Sequence, residues 1–201
     1  GKDVHSSVAA KVFGVKEEVV TKEMRRRAKV INFGIIYGMG VNALKTSLGT
    51  TRQEAEQFMT NYFDTFPTIK KYFANVVALA KQRGYTETLF GRRRYLPALK
   101  SRLPQILAGA ERMAMNAPLQ GTAADIIKLA MIKVDKNLQT AGLGGEAHLL
   151  LQIHDELIYE VAKAKVAEAE KIIRLAMEGA IELPVPLSVS FDVGASWLEL
   201  S

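Results

Sequence analysis

Apolar residues return every three or four positions through most of the first hundred residues, and every second position in several later stretches. Residues 3–13 suit a short helix ending at Gly14. Thr21 is a plausible N-cap, with the Glu23 carboxylate in the first turn behind it. A helix from there reaches about Tyr37, where Gly38 and Gly40 break it. Ala55, Phe58, Met59, Tyr62 and Phe66 predict a helix over roughly 51–65. Pro67 ends that helix and opens the next at its first turn. Ile69, Tyr72, Phe73, Val76 and Ala80 then carry an apolar stripe to Gly84.

Beyond Gly84 the pattern shortens. Tyr85 to Leu89 and Arg93 to Leu96 read as a small hairpin around Phe90-Gly91. Pro104 to about Leu138 reads as mostly helical, with a break marked by Pro118 and Gly121. A loop at 142–145 precedes two β-rich runs, His148 to Ile153 and Leu157 to Val161, separated by His154-Asp155-Glu156. An amphipathic helix is expected over 163–182, with Val166, Ala169, Ile173, Ala176 and Ala180 on one face. Leu187, Val189, Phe191 and Val193 alternate with Ser188, Ser190 and Asp192, which predicts a half-buried strand; Trp197 is expected to pack. The fold class is α+β, helical at first and mixed afterwards.

Composition narrows the partners. No apolar run approaches the ~20 residues of a membrane span. No leading segment runs basic, apolar, small in the manner of a signal peptide. The 201 residues contain no cysteine, which removes disulfides and thiolate metal sites and suits a cytoplasmic location. With 27 Lys and Arg against 21 Asp and Glu, the net charge is +6, a surplus that suits a polyanion. The charge is concentrated in Arg25-Arg26-Arg27 and Arg92-Arg93-Arg94.

Arg25, Lys29, Phe33 and Tyr37 are each four residues apart, so on a helix they line one face over about 18 Å. Arg25 and Lys29 repel each other there unless an anion lies between them. A triphosphate is such an anion, gripped by Arg as a fork and by Lys as a point charge. Phe33 and Tyr37 offer flat surfaces to a sugar and a base, and Gly34 and Gly38 allow close approach. A solvated basic turn followed by an aromatic core stripe is the competing reading of these residues. The whole string from Arg25 to Gly38, with basic residues, Asn32-Phe33-Gly34 and Tyr37-Gly38, resembles the fingers-helix motif of family A DNA polymerases. The resemblance implies that Arg25 and Lys29 hold the phosphates of an incoming dNTP, that Phe33 packs on its sugar, and that Tyr37 stacks near the templating base. It also implies that Asp3-Val4-His5 brings His5 to the phosphates. Phe rather than Tyr at position 33 implies poor use of dideoxynucleotides.

Asp155 and Glu156 are expected at the tip of a tight hairpin between apolar strands. Adjacent carboxylates repel, and a divalent cation relieves the repulsion; Mg²⁺ prefers such hard oxygen ligands. A polar turn facing solvent is the alternative. The string Gln152-Ile153-His154-Asp155-Glu156 resembles the family's palm motif. It implies that Asp155 binds metal, that Glu156 supports the metal site, and that His154 lies near the primer terminus. The implied chemistry is attack of a primer 3′-hydroxyl on the dNTP α-phosphorus with two Mg²⁺ ions. The segment from Glu111 to Asp125 resembles the family's palm-entry helices. Arg112, Asn116 and Gln120 recur there at intervals of four and suit minor-groove acceptors. Phe90-Gly91-Arg92-Arg93-Arg94-Tyr95 resembles a fingers hairpin whose arginines meet DNA phosphates without sequence preference.

The resemblance spans essentially the whole chain in order. It implies fingers over 1–105, the C-terminal part of an antiparallel-sheet palm over 106–201, and primer-template DNA as partner. The family's other catalytic Asp lies upstream of the element matched by Gly1 to His5. The chain alone is therefore expected to be inactive and to act with the rest of the polymerase, upstream palm and thumb, in cis or as a second chain. Asp192 lies in surroundings unlike that motif. The missing palm strands are expected to leave apolar surface and a β-edge uncovered. A fragment of a single-subunit RNA polymerase is disfavoured by Asn32-Phe33-Gly34 and Glu156. A non-catalytic DNA-binding module has no need of His154-Asp155-Glu156.

Overall fold

A computed structural model describes residues 3–200. Gly1, Lys2 and Ser201 lie outside the described residues, so the expected element at Gly1 to His5 is seen from Asp3 onward. The chain divides into two compact units, 1–119 and 120–201. The architecture is α+β, mostly helical with two small antiparallel hairpins, as expected. No helix among the described residues is long and apolar enough to cross a membrane.

The first unit is built on α1 (Val4–Phe13), α2 (Lys22–Ile36), α3 (Val41–Leu48), α4 (Arg52–Thr65) and α5 (Pro67–Arg83). Local chemistry sets their ends. Asp3 caps α1 through His5 N–H, and Gly14 closes it in the left-handed region. Thr21 caps α2 by accepting from Met24 N–H. Thr51 and Glu54 form a reciprocal capping box at α4, and Pro67 starts α5. Helix α3 was not anticipated, although Val41, Leu44 and Leu48 are helically spaced and Gly49 ends them. The flanking glycines obscured it.

Val8, Val12, Ala28, Ile31, Ile35, Leu44, Leu48, Ala55 and Tyr62 form the core of these helices. Burying each Val, Ile or Leu among them stabilises by about 1.5–3 kcal/mol. Tyr62 is the largest side chain fully enclosed, and its hydroxyl donates to Asn32 Oδ1 at 2.8 Å. Beyond Gly84, β1 (Tyr85–Glu87) pairs antiparallel with β2 (Arg93–Tyr95), a shorter ladder than the expected runs.

Helix α6 (Pro104–Thr140) continues through Pro118, where a break was expected. Proline removes the ladder bond to the Ala114 carbonyl and crowds that carbonyl with its ring, a cost of about 3 kcal/mol that packing of the neighbouring turns has to offset. Ala114 and Ala117 beside it are buried. The boundary between the two units falls directly after it.

The second unit contains the rest of α6, the hairpin of β3 (Ala147–Ile153) and β4 (Glu156–Val161), and α7 (Val166–Glu178). Its core is Val134, Leu138, Leu143, Ala147, Ala169, Ile173 and Ala176, with Tyr159 and Phe191 packed against it. Burial, with the Asp135 charge added, pushes the Tyr159 phenol up to about 12. Helix α7 is shorter than the expected 163–182 because Gly179 caps it, and the Gly179 carbonyl is taken by Lys133 Nζ at 2.6 Å. The expected strand at 187–193 joins no ladder among the described residues. Its alternation of half-buried and exposed positions holds from Leu187 to Asp192, but side chains of α7 replace a neighbouring strand. Val189 N–H donates to Glu178 Oε1 at 3.0 Å, and its carbonyl accepts from Arg174. Trp197 is 58% exposed rather than packed. Leu149, Leu150 and Leu151 of β3 are exposed as well.

Candidate functional site

Helix α2 buries Ala28, Ile31, Gly34 and Ile35. Arg25, Lys29, Phe33 and Tyr37 therefore fall on its open side, and all four are exposed. Phe33 is 41% and Tyr37 47% exposed, which removes the reading of these aromatics as a core stripe. Their rings stack with centroids 6.4 Å apart and planes 14° from parallel. His5, from the start of α1, leans on Phe33 at 5.5 Å between ring centroids. Its Nδ1 is buried and meets no hydrogen-bond partner among the described residues, leaving Nε2 as the ring nitrogen for a ligand.

The basic residues divide into held and open groups. Glu23 accepts from Arg26 Nε at 2.8 Å and Nη2 at 2.7 Å, and from Arg27 Nε at 3.2 Å. Arg25 Nε lies 2.6 Å from Asp3 Oδ2. Arg25, then Ser6, holds the Asp3 carboxyl well below the usual carboxylate range. Lys29 carries no ion pair among the described residues. Among the described residues the open side of α2 thus presents the Lys29 ammonium without an ion pair and the Arg25 guanidinium anchored along one edge.

The turn after α2 explains Gly38. Its φ is +72°, and a Cβ there would sit 3.0 Å from Met115 Cε and 3.1 Å from Arg112 Cγ. A Cβ on Gly34 would meet Met39 Sδ at 2.9 Å. The space at both glycines is filled by side chains of this chain, not left open for an outside backbone or base as expected. Asn116 Nδ2 donates to the Tyr37 carbonyl at 2.9 Å, and its Oδ1 is buried without a partner among the described residues. Arg112, Asn116 and Gln120 all lie in α6; Arg112 and Gln120 are exposed, and Gln120 falls in the second unit. Nothing in the sequence pattern pointed to the Asn116–Tyr37 link, which joins residues 79 apart.

In the β1–β2 hairpin Arg92, Arg93 and Arg94 are exposed. The Arg93 guanidinium lies over the Tyr85 ring at 4.6 Å, and its Nε is 3.5 Å from Glu87 Oε2. Arg94 Nη2 lies 3.5 Å from Met113 Sδ.

In the second unit the β3–β4 register pairs Ile153 with Glu156, so the turn holds only His154 and Asp155. Glu156 is the first residue of β4 and not part of the turn tip as expected. His154 has φ +52°, unfavourable for a residue with a Cβ and common where function fixes the backbone. Its carbonyl accepts from Gln152 Nε2 at 3.1 Å. Leu150 is unpaired at a bulge that changes the twist of β3. His154, Asp155 and Glu156 are all exposed. Asp155 and Glu156 offer only hard oxygen donors, which fits Mg²⁺. Among the described residues no third His, Cys, Asp or Glu joins them in a cluster able to hold a metal, so the fit is to part of a site.

Comparison with known proteins follows the same outline. The model for DNA polymerase family A matches residues 1–199. The thermostable DNA polymerase I of Thermus filiformis is 47% identical over 199 residues, covering 99% of this chain and 23% of that protein. DNA polymerase I of Geobacillus stearothermophilus is 47% identical over 199 residues, covering 99% and 22%. The chain thus spans less than a quarter of the length of these relatives, 23% and 22%. The POL domain of Pol1 from M. smegmatis, in a complex with DNA primer-template and dNTP, aligns with TM-score 0.90 at 46% identity. That alignment covers 94% of this chain and 33% of the other. Matched by the family model along nearly its whole length, and sharing close to half its residues with these relatives, the chain belongs to DNA polymerase family A.

Proposed function

We propose that the chain supplies the nucleotide-binding face and one metal-ligating hairpin for template-directed DNA synthesis. The observation carrying this reading is the open side of α2, where Arg25, Lys29, Phe33 and Tyr37 stand exposed over a buried apolar stripe. Lys29 places an uncommitted positive charge where a triphosphate is expected, and Arg25 adds a guanidinium fork. His5 Nε2 extends the set of donors. Phe33 packs on the sugar of a dNTP, and Tyr37, stacked on it, faces the templating base. The M. smegmatis relative was solved with primer-template and dNTP, which accords with these ligands.

Asp155 would ligate Mg²⁺ and Glu156 would support that site, with a further Asp supplied from outside these residues. The metal, when bound, activates the primer 3′-hydroxyl and stabilises the leaving pyrophosphate. His154 orients the primer terminus beside Asp155. Arg112, Asn116 and Gln120 meet minor-groove acceptors. Arg92 to Arg94 meet backbone phosphates, Arg93 held flat by Tyr85. The labels of fingers for 1–105 and palm for 106–201 belong to the same proposal.

The test is primer extension with Mg²⁺ and all four dNTPs, using the chain alone and with a fragment carrying the upstream palm and thumb of a relative. Extension is expected only on mixing, and Lys29→Ala or Asp155→Ala should abolish it. Extension by the chain alone would refute the need for an outside Asp. Mixed activity indifferent to Asp155→Ala would refute the metal assignment.

A further inference from the structure

We infer that Asp3 is a positioning residue for Arg25, fixing the guanidinium so that its outer edge faces a bound triphosphate. The inference rests on the nucleotide reading of the α2 face. Asp3 is itself held by hydrogen bonds. Its Oδ1 accepts from His5 N–H at 3.1 Å and its Oδ2 from Ser6 Oγ at 2.6 Å, as the N-cap of α1. The same carboxylate takes Arg25 Nε at 2.6 Å on Oδ2 and Arg25 Nη2 at 3.4 Å on Oδ1. This is a side-on fork between residues 22 apart in sequence.

A guanidinium has five N–H donors in one plane. Two face Asp3. The second hydrogen of Nη2 and one of Nη1 remain as an end-on fork next to the Asp3 edge, and the other Nη1 hydrogen points to the third edge. The Arg25 side chain stays 49% exposed with Asp3 on its Nε edge, which leaves room for a ligand at the remaining donors. Arginine otherwise loses much rotamer freedom on binding an anion, and the ion pair removes that loss in advance. Asp3 also ties the start of α1 to the start of α2, while His5, two residues on, leans on Phe33 farther along the same face.

Simple electrostatics predicts the opposite of positioning. Asp3 is a negative charge beside the site of a polyanion, so removing it should tighten binding. The sign of the change therefore decides. The measurement is calorimetric titration of the chain with dATP and Mg²⁺, and separately with inorganic tripolyphosphate. Asp3→Asn removes the charge and keeps a good N-cap, as does Asp3→Ser. Each is expected to weaken both ligands about three- to tenfold, the cost of immobilising one long side chain. In an Arg25→Ala background, Asp3→Asn should produce no further weakening, which a general loss of structure would not spare. Equal or tighter binding by Asp3→Asn and Asp3→Ser, with Arg25→Ala still weakening, overturns the positioning role alone. Binding unchanged by Arg25→Ala overturns the nucleotide reading of Arg25 and the positioning role with it.

Discussion

The contact between Tyr62 and Asn32 gives a sharp stability prediction. Tyr62 is 1% exposed, and its hydroxyl donates to Asn32 Oδ1 at 2.8 Å, tying α4 to α2. Tyr62→Phe removes the donor and leaves the ring packing among Phe63 and Phe66 in place. A neutral hydrogen bond contributes about 1 kcal/mol net, and a buried acceptor left alone costs about 1–3 kcal/mol. Asn32 is only half-buried, so water recovers part of that loss, and about 1 kcal/mol is expected. For a unit of this size the shift in Tm is about 3–4 °C. The assay is urea and thermal unfolding followed by circular dichroism, with Asn32→Ala and the double variant completing a cycle. The coupling should be about 1 kcal/mol, the double variant losing less than the sum of the singles. A loss below about 0.3 kcal/mol, or strict additivity, would refute the bond's contribution. Asn32 then serves to hold α2 in place, and Tyr62→Phe should leave dATP affinity nearly unchanged.

Two further outcomes follow from local geometry. Gly38 and Gly14 have similar positive φ, +72° and +67°, but a Cβ meets Met115 and Arg112 only at Gly38. Gly38→Ala should therefore destabilise by about 1 kcal/mol or more beyond Gly14→Ala in denaturant titrations, and equal losses would refute the packing argument. Glu54 is held at about 2 by hydrogen bonds from the Thr50 hydroxyl and then from Thr51. Because its folded pKa lies below its ordinary value of 4.5, its contribution is full above that value and is lost as pH falls through about 2. Tm measured from pH 6 to pH 2 should fall less in Glu54→Gln than in the unaltered chain; parallel profiles would refute this.

Most helices, α3 excepted, and both hairpins were legible because they rest on local periodicity, caps and glycines, whereas periodicity alone left the aromatic face of α2 open to a core reading. Thr21, Gly14, Pro67 and Gly84 act within one turn of themselves, so their effects can be read along the chain. The long motifs around Phe33 and Asp155 were enough to identify the family. Tertiary structure decided what depends on distant partners. Alternation at 187–193 cannot say whether the backbone pairs with a strand or with Arg174 and Glu178. Pro118 alone cannot say whether packing will carry a helix through it. Only folding brought Asp3 to Arg25, Asn116 to Tyr37 and Tyr62 to Asn32, since each pair is separated by many residues and no local pattern encodes their meeting.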